Sequence, residues 1–240
     1  MKLVLCKNYE ELSKKASDIV ATIIRDNPNA KLGLATGSTP IGLYQNLVKE
    51  YNDGKLDFKN VKTVNLDEYV GIDAKNTQSY RYFMDFNLFD RVNIDKNNTN
   101  VPFAQGNLEE SVKDYDKLLE DFGQRDVQVM GIGANGHIAF NEPDTKLNMH
   151  TSIVDLTEET IIANSRFFDS KEDVPKKAIS MGLADAFNCK TLVVLASGLS
   201  KHDAVEKLLN TTKIDTQFPL SFITLHPNCY LIVDEEAYKG

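Results

Sequence analysis

Short apolar runs and amphipathic stretches alternate along almost the whole chain. The apolar runs predict strands at residues 2–6, 31–35, 61–66, 127–130, 191–196 and 230–233. Between them, apolar residues recur at helical spacing and predict helices over residues 8–27, 39–51, 79–90, 108–122, 158–165, 178–187 and 201–209. This alternation predicts an α/β fold with an open, mainly parallel, doubly wound (Rossmann-like) sheet and helices on both faces.

The least regular stretch runs from residue 142 to about residue 174, where apolar residues are sparse and charges are scattered. A stretch of this kind after a glycine-rich loop is expected to form a mobile lid. The rest of the chain shows neither a linker composition nor an internal repeat. We therefore expect a single domain over residues 1–240, with a lid segment around 142–174.

The acidic composition argues against some classes of partner. The 240 residues include 27 Lys and Arg against 35 Asp and Glu, which gives a formal net charge of -8, and there is no long basic run. We therefore expect no sequence-independent binding of nucleic acid or of an anionic membrane surface. A small anionic substrate would need a local basic pocket.

The sequence shows no signal for export. Its first residues lack the regions of a signal peptide, and no apolar stretch approaches the length of a membrane span. Cys6, Cys189 and Cys229 lie far apart and are expected to be small buried core residues in a reducing compartment. We expect a cytoplasmic protein.

A glycine-rich loop at residues 131–143 directly follows the apolar run 127–130. A buried strand that ends in Gly-x-Gly brings the chain to the carboxyl edge of a sheet, where open α/β sheets bind ligands. The loop contains His137 and Glu142, two residue types that move protons in enzymes. The pattern predicts an active-site loop; the alternative is a glycine-rich connection with an incidental histidine.

The same loop matches a dinucleotide-binding fingerprint. Gly131, Gly133 and Gly136 spell G-x-G-x-x-G, and Asp155 follows roughly 20 residues later as a candidate ribose ligand. That fingerprint needs a helix that opens at the third glycine. Because Pro143 leaves little room for such a helix, the sequence argues against a nicotinamide or flavin site.

A second cluster, Thr36, Gly37, Ser38, Thr39 and Pro40, lies between a predicted strand and a predicted helix. Thr39 suits the N-cap and Pro40 the first helical position. Free backbone N–H groups and the helix dipole favour an anion there, although no lysine follows the glycine as in a Walker A loop. The cluster is either a phosphate site or a plain capped turn.

Two further clusters follow predicted strands. Asp67 and Glu68 directly follow the predicted strand at 61–66. One of them could be a base and the other its orienting partner, or both could cap a helix. Lys201 lies in the first turn of the helix that follows the strand at 191–196. A lysine gains nothing from the helix dipole there, so it is a candidate phosphate partner.

Together these segments resemble the glucosamine-6-phosphate deaminase (glucosamine/galactosamine-6-phosphate isomerase) family over nearly the whole chain. Five motifs in the family's order carry the resemblance: ATGSTP at 35–40, NLDEYVG at 65–71, GHIAFNEP at 136–143, NSRFF at 164–168 and LHP at 225–227. The resemblance implies conversion of glucosamine 6-phosphate to fructose 6-phosphate and ammonia, in amino sugar catabolism. We class the implied enzyme as a hydrolase acting on an amino sugar phosphate.

The resemblance also implies catalytic roles. Asp67 would move a proton between C2 and C1, and His137 would open the pyranose ring with help from Asn135 and Glu142. Ring opening must come first, because the C2 proton becomes acidic only beside a C1 aldehyde. The carbonyl is the only electron sink required, so neither a metal nor pyridoxal phosphate is implied.

The family places the phosphate on the Thr36–Thr39 loop, through the amides of Gly37, Ser38 and Thr39, and beside Arg166 and Lys201. Without the motif, Arg166 would be read as a solvated surface charge.

One departure concerns the ring-opening residues, because many relatives have Asp where this chain has Asn135. Glu142 is therefore expected to carry more of the tuning of His137. A second departure concerns regulation. Longer relatives form hexamers activated by N-acetylglucosamine 6-phosphate through basic residues in the region of Ser152 and Val154. We expect a monomer or small homo-oligomer and no allosteric hexamer.

Two other functions fit parts of the pattern. A 6-phosphogluconolactonase shares the fold and would use His137 to activate water, but its loop does not continue as Phe-Asn-Glu-Pro, and Asp67 has no evident task there. A sugar-phosphate-sensing domain would need an attached DNA-binding segment, which we do not expect here because the predicted strands and helices occupy residues 2–233. The sequence leaves open the roles of His150, His202 and His226.

Overall fold

A computed structural model describes residues 1–166 and 168–240. The strands are β1 (Lys2–Cys6), β2 (Lys31–Leu34), β3 (Lys62–Asn65), β4 (Asp67–Tyr69), β5 (Thr99–Asn100), β6 (Arg125–Gly131), β7 (Ser152–Asp155), β8 (Lys177–Ser180), β9 (Cys189–Ala196) and β10 (Cys229–Asp234). The α-helices are α1 (Tyr9–Asp26), α2 (Ile41–Asn52), α3 (Tyr80–Asn87), α4 (Leu108–Phe122), α5 (Glu158–Ser165), α6 (Leu183–Phe187), α7 (His202–Asn210) and α8 (Glu235–Lys239).

Within the described residues, an open seven-stranded sheet has the order β1-β10-β9-β6-β2-β3-β5, and every pair of neighbouring strands in it is parallel. Helices cover both of its faces. Val127 and Val129 of β6 pack with α1, α2 and α3, whereas Met130 packs with α4, α6, α7 and α8. This division follows from the two-residue period of a strand, and it explains why the central strands are apolar throughout. The predicted fold class is confirmed.

The strand order reverses between β2 and β6. The chain runs from β2 through β3 to β5 at one edge, then returns to β6 beside β2 and continues to β9 and β10. At such a reversal the loops beyond the carboxyl ends of neighbouring strands diverge and leave a crevice. The loops that follow β2, β3, β6 and β9 all begin at the carboxyl ends of these strands, beside the crevice.

A small antiparallel sheet, with the order β4-β8-β7, was not predicted. It lies partly within the stretch 142–174, and it replaces the first half of the helix predicted at 178–187, which begins only at Leu183. Pairing with β4 on one side and β7 on the other fixes Lys177–Ser180 as a strand. Tertiary pairing has overridden the local pattern there.

Side chains cap most of the longer helices as their sequences suggest. Asn8 accepts from the Glu11 amide at the start of α1, and Thr157 does the same for the Thr160 amide at the start of α5. The prediction for α2 was wrong: Pro40 is its N-cap, and neither Pro40 nor Thr39 makes a capping hydrogen bond with its side chain. Among residues 1–166 and 168–240, none of the helices combines the length and apolar character needed to cross a membrane.

Candidate active site

A cavity of about 430 Å³ opens at the strand reversal. It is of the size expected for a small-molecule site. Of the predicted site residues, those that line it are Thr36, Gly37, Ser38, Thr39, Asp67, Asn135, His137, Arg166 and Lys201. Glu142 lies behind this wall, in contact with Asn135 and His137. The fold therefore brings all the predicted residues to one place.

Asn135, His137 and Glu142 form one group in the loop after β6. His137 Nδ1 lies 3.2 Å from Glu142 Oε2, although the ring is not aligned for a regular hydrogen bond. Asn135 Nδ2 donates to the same oxygen at 2.8 Å, and Asn135 Oδ1 accepts from the His137 amide at 3.1 Å. The side chain at position 135 thus orients both members of the pair. An aspartate there could not donate to Glu142.

The other carboxylate oxygen of Glu142 is bound at the start of helix α5. Oε1 accepts from the hydroxyl of Thr160 and, at 3.3 Å, from that of Thr157. Burial tends to raise the pKa of Glu142, but contact with His137 and the hydrogen bonds from Thr160 and Asn135 outweigh it and lower the pKa to about 2. The carboxylate is therefore ionised at all physiological pH values. Nothing in the sequence marks the two threonines as site residues beyond their places in a helix start.

The glycines of this loop make room for the histidine. A Cβ on Gly133 would lie 2.3 Å from the ring of His137, so only glycine allows the ring to lie against this turn of backbone. No helix follows Gly136: the chain makes a tight turn from Ile138 to Asn141, with Ala139 at a φ of 52°. A dinucleotide site would require a helix at that point, so its absence supports the argument from Pro143.

The adjacent carboxylates of β4 have different surroundings. Glu68 accepts from the backbone amides of Tyr69, Tyr80 and Arg81, each at 2.9 Å, and so ties β4 to the start of α3. Asp67 instead lines the cavity and is only 7% exposed. Burial, with a smaller contribution from the negative charge of Glu68, raises the pKa of Asp67 to about 8.

Aromatic rings surround the position of Asp67. The rings of Tyr69 and Tyr80 are 4.7 Å apart, and Tyr80 stacks on Phe140 at 6.3 Å. Asn164 of α5 donates to the Tyr69 hydroxyl at 2.9 Å, so this wall is also attached to α5. Tyr80 lines the cavity but was not predicted, because its neighbours in sequence carry no recognisable site motif.

The Thr36–Thr39 loop, Arg166 and Lys201 line another part of the cavity wall. Burial lowers the pKa of Lys201, and the nearby positive charge of Arg166 lowers it further. Two cations that disfavour one another in a partly buried site would both be stabilised by an anion. Phe167, within the NSRFF segment, lies outside the described residues.

His226 and His150 do not line the cavity. His226 joins the starts of β9 and β10, with Nε2 3.0 Å from the Cys189 carbonyl oxygen and Nδ1 accepting from the Asn228 amide. His150 contacts Asp185 at 3.1 Å. In the part of the chain that the structure describes, no group of three or more His, Cys, Asp and Glu side chains is arranged to hold a metal ion.

The chain was compared with known proteins. Residues 7–231 match the family described as glucosamine-6-phosphate isomerases/6-phosphogluconolactonase. A glucosamine-6-phosphate deaminase of Clostridium perfringens (strain SM101 / Type A) is 50% identical over 240 residues, which cover 100% of this chain and 99% of that protein. One from Thermoanaerobacter pseudethanolicus is 47% identical over 238 residues, covering 99% of this chain and 94% of the relative.

Among solved structures, a deaminase is more similar to this chain than a 6-phosphogluconolactonase is. A monomeric glucosamine-6-phosphate deaminase superposes with a TM-score of 0.96 at 41% identity, covering 99% of this chain and 98% of that one. A 6-phosphogluconolactonase from Leishmania guyanensis superposes with a TM-score of 0.77 at 20% identity, covering 100% and 98%. The second likeness shows the fold alone.

These findings correct one prediction. The hydrolase class is wrong, because the similar relatives are named deaminases. The resemblance on which the other functional predictions rest is confirmed. The chain belongs to the glucosamine-6-phosphate isomerase/6-phosphogluconolactonase family.

Proposed function

We propose that this protein converts glucosamine 6-phosphate to fructose 6-phosphate and ammonia, by aldose–ketose isomerisation with deamination. One observation carries the proposal: a buried carboxyl group, Asp67, and a histidine in contact with a carboxylate, His137, line the same cavity as a pair of cations. The family and the deaminase names of relatives that match over the whole chain support it.

In the proposed reaction the phosphate is held first. The amides and hydroxyls of the Thr36–Thr39 loop would donate to its oxygens, with Arg166 and Lys201 supplying positive charge. These contacts would fix the sugar with its reactive carbons beside Asp67 and His137. On a protein with a net charge of -8, this local positive charge is what allows an anionic substrate to bind.

His137 would then open the ring. Because ionised Glu142 faces Nδ1, it favours a proton there and leaves Nε2 free to accept the proton of the C1 hydroxyl. The same nitrogen would return a proton to the ring oxygen as the C1–O bond to it breaks. The product is an open chain with a C1 aldehyde.

Asp67 would act next, as a carboxylate, by taking the proton from C2 to give an enol-type intermediate. Returning that proton to C1 leaves C2 doubly bonded to nitrogen. Exchange of this nitrogen for the oxygen of water yields the ketose and ammonia. No step requires an electron sink other than the sugar itself, so we propose that the reaction needs no cofactor.

The test is to supply glucosamine 6-phosphate and to measure ammonia and fructose 6-phosphate together, with 6-phosphogluconolactone as a parallel substrate. We expect the two products in equal amounts and no acceleration of lactone hydrolysis. Lactone hydrolysis without ammonia release would instead favour the lactonase, whose solved representatives share only the fold with this chain.

We further propose that residues 1–240 work as one domain whose lid, around 142–174, includes helix α5. Its Thr160 holds Glu142, so Thr160→Val should lower kcat by about tenfold, the order expected for losing a hydrogen bond to a charged group. Steady-state kinetics would measure this. Thr151→Val is a matched control, because the buried Thr151 hydroxyl makes no hydrogen bond, and an equal loss in that variant would contradict a specific role for Thr160.

The protein is proposed to act as a monomer or small homo-oligomer without allosteric activation. The likeness to a monomeric deaminase at 41% identity supports this. Light scattering should give a mass well below that of a hexamer, and the substrate curve should be hyperbolic with or without N-acetylglucosamine 6-phosphate. A sigmoidal curve that this ligand straightens would contradict the proposal.

We propose a cytoplasmic location and a small sugar phosphate as the only substrate, without nucleic acid or membrane partners. Cys6, Cys189 and Cys229 are buried free thiols, which supports a reducing compartment. Fractionation of cells followed by immunodetection would test the location.

A further inference from the structure

The start of helix α2 is held by a residue from another helix. The Ile41 amide has only a long contact, 3.4 Å, to the Ser38 carbonyl oxygen, and no side chain of the loop caps the helix. The next amide, that of Gly42, donates instead to the hydroxyl of Tyr9 at 2.8 Å. Tyr9 is the first residue of α1, so one helix caps the other.

The same hydroxyl faces the loop that precedes α2. Tyr9 Oη lies 3.1 Å from the Ser38 carbonyl oxygen and 3.0 Å from that of Thr39. A phenol has one proton to donate and lone pairs to accept with. It can therefore accept from Gly42 while its proton is shared between the two carbonyls, and three peptide groups of the loop and helix start are held by one atom.

A glycine makes this approach of the two helices possible. A Cβ on Gly42 would lie 2.3 Å from Ser13 Oγ and 3.2 Å from Tyr9 Cε1, both on α1. Tyr44 secures the other end of the loop by donating to the Ala35 carbonyl oxygen at 2.5 Å. The loop is thus fixed at both ends by phenols.

Fixing the carbonyls also sets the direction of the amides. In a trans peptide, the C=O of one residue and the N–H of the next point in opposite directions, and the described residues contain no cis peptide. When the Ser38 carbonyl points to Tyr9, the Thr39 N–H must point the other way, and Thr39 lines the cavity. In addition, the Thr39 hydroxyl is not used as a cap and remains available to a ligand.

We propose that Tyr9 is a positioning residue for the phosphate: it caps α2 in place of Thr39 and turns the Ser38–Thr39 peptide so that its N–H faces the anion. The proposal rests on the proposed function in that it assigns the phosphate to this loop. Tyr9 itself touches no substrate. Its effect should appear in phosphate affinity and not in the chemical step.

The experiment compares the wild type with Tyr9→Phe by calorimetric titration with inorganic phosphate and by kinetics with glucosamine 6-phosphate. Losing the hydroxyl should raise both the phosphate Kd and the KM by about five- to tenfold, the range expected for one to two neutral hydrogen bonds, with kcat changed less than about twofold. Tyr230→Phe is the matched control. Its phenol accepts from Lys2 of the edge strand β1 at 3.1 Å, and its removal should change neither constant.

Two results would overturn the proposal: an unchanged phosphate Kd in Tyr9→Phe, whether or not its melting temperature falls, or no phosphate binding by the wild type. If Tyr9→Phe does not fold, Gly42→Ala provides the second test, because it separates α1 from α2 and should raise the phosphate Kd. The titration does not depend on turnover. A wild type that binds phosphate but releases no ammonia would therefore refute the proposed reaction, while the comparison of Kd values still decides the role of Tyr9.

Discussion

Replacing Asp67 by asparagine should abolish the formation of both fructose 6-phosphate and ammonia. The amide has nearly the same shape as the carboxyl group but cannot accept the C2 proton, so we expect a loss of at least about a thousandfold in kcat. Both products should be measured in the same reaction. Ammonia release at the wild-type rate would exclude Asp67 as the base.

Asp185→Asn is a matched control for this variant. Asp185 is also a partly buried aspartate whose pKa is raised, chiefly by burial, but it lies outside the cavity wall. We expect Asp185→Asn to keep most of the activity. A loss of activity in Asp67→Asn alone would then result from the position of Asp67 in the site and not from the removal of a buried carboxyl group.

The raised pKa of Asp67 has two consequences for pH. With a pKa of about 8, the free enzyme holds Asp67 protonated at neutral pH, so kcat/KM should rise with pH until about 8. Between the ordinary pKa of an aspartate and about 8, the folded state binds a proton that the unfolded state has lost. Stability should therefore fall as pH rises through this window.

Asp67→Asn removes that penalty. Above pH 8 the variant should therefore be more stable than the wild type, by on the order of 2 kcal/mol, as measured by urea denaturation. An inactive variant that is also more stable would show that the activity loss does not come from misfolding. Equal stabilities across this pH range would contradict the raised pKa.

Replacing Glu142 by glutamine should have the second largest effect. Without the carboxylate, His137 loses the charge that holds its proton on Nδ1, and ring opening should become slow. We expect kcat to fall by about a hundredfold, the lower range for general acid–base catalysis. Since Glu142 has a lowered pKa, the variant should also lose stability that the wild type has above the ordinary glutamate pKa and loses as pH falls toward about 2.

Deuterium at C2 of the substrate distinguishes the two steps. In Glu142→Gln, ring opening should limit the rate, so the isotope effect on kcat should shrink toward one. Asn135→Asp is the control: it keeps Glu142 but loses the hydrogen bond to Oε2, and should cost less activity. An isotope effect in Glu142→Gln as large as in the wild type would place Glu142 outside ring opening.

The long elements were predictable because each carries its own pattern. Helix α4 begins and ends where predicted, at Leu108 and Phe122, since its apolar residues repeat at helical spacing and Asn107 caps it. The small sheet could not be predicted in this way. Asp67–Tyr69 has three residues and pairs with Lys177–Ser180, more than a hundred positions later, so nothing local identifies either as a strand.

The sequence predicted that the site residues meet at one cavity, but it did not predict their contacts. Their places after predicted strands, together with the family resemblance, predicted Asp67, His137 and Lys201 as site residues. The hydrogen bond from Thr160 to Glu142, and that from the Gly42 amide to Tyr9, join residues 18 and 33 positions apart and depend on how helices pack. The prediction that Thr39 caps α2 failed for the same reason, because the cap comes from another helix.

The reversal of strand order between β2 and β6 also governs how activity is acquired. These neighbouring strands pair Leu32 with Val127 and Gly33 with Gln128, so the crevice forms only after these distant segments of the chain have paired. Non-local parallel pairing is a slow event in folding, whereas helices such as α1 can form early. During refolding, enzyme activity should consequently return after most of the helical circular dichroism signal, and it can report completion of the central sheet.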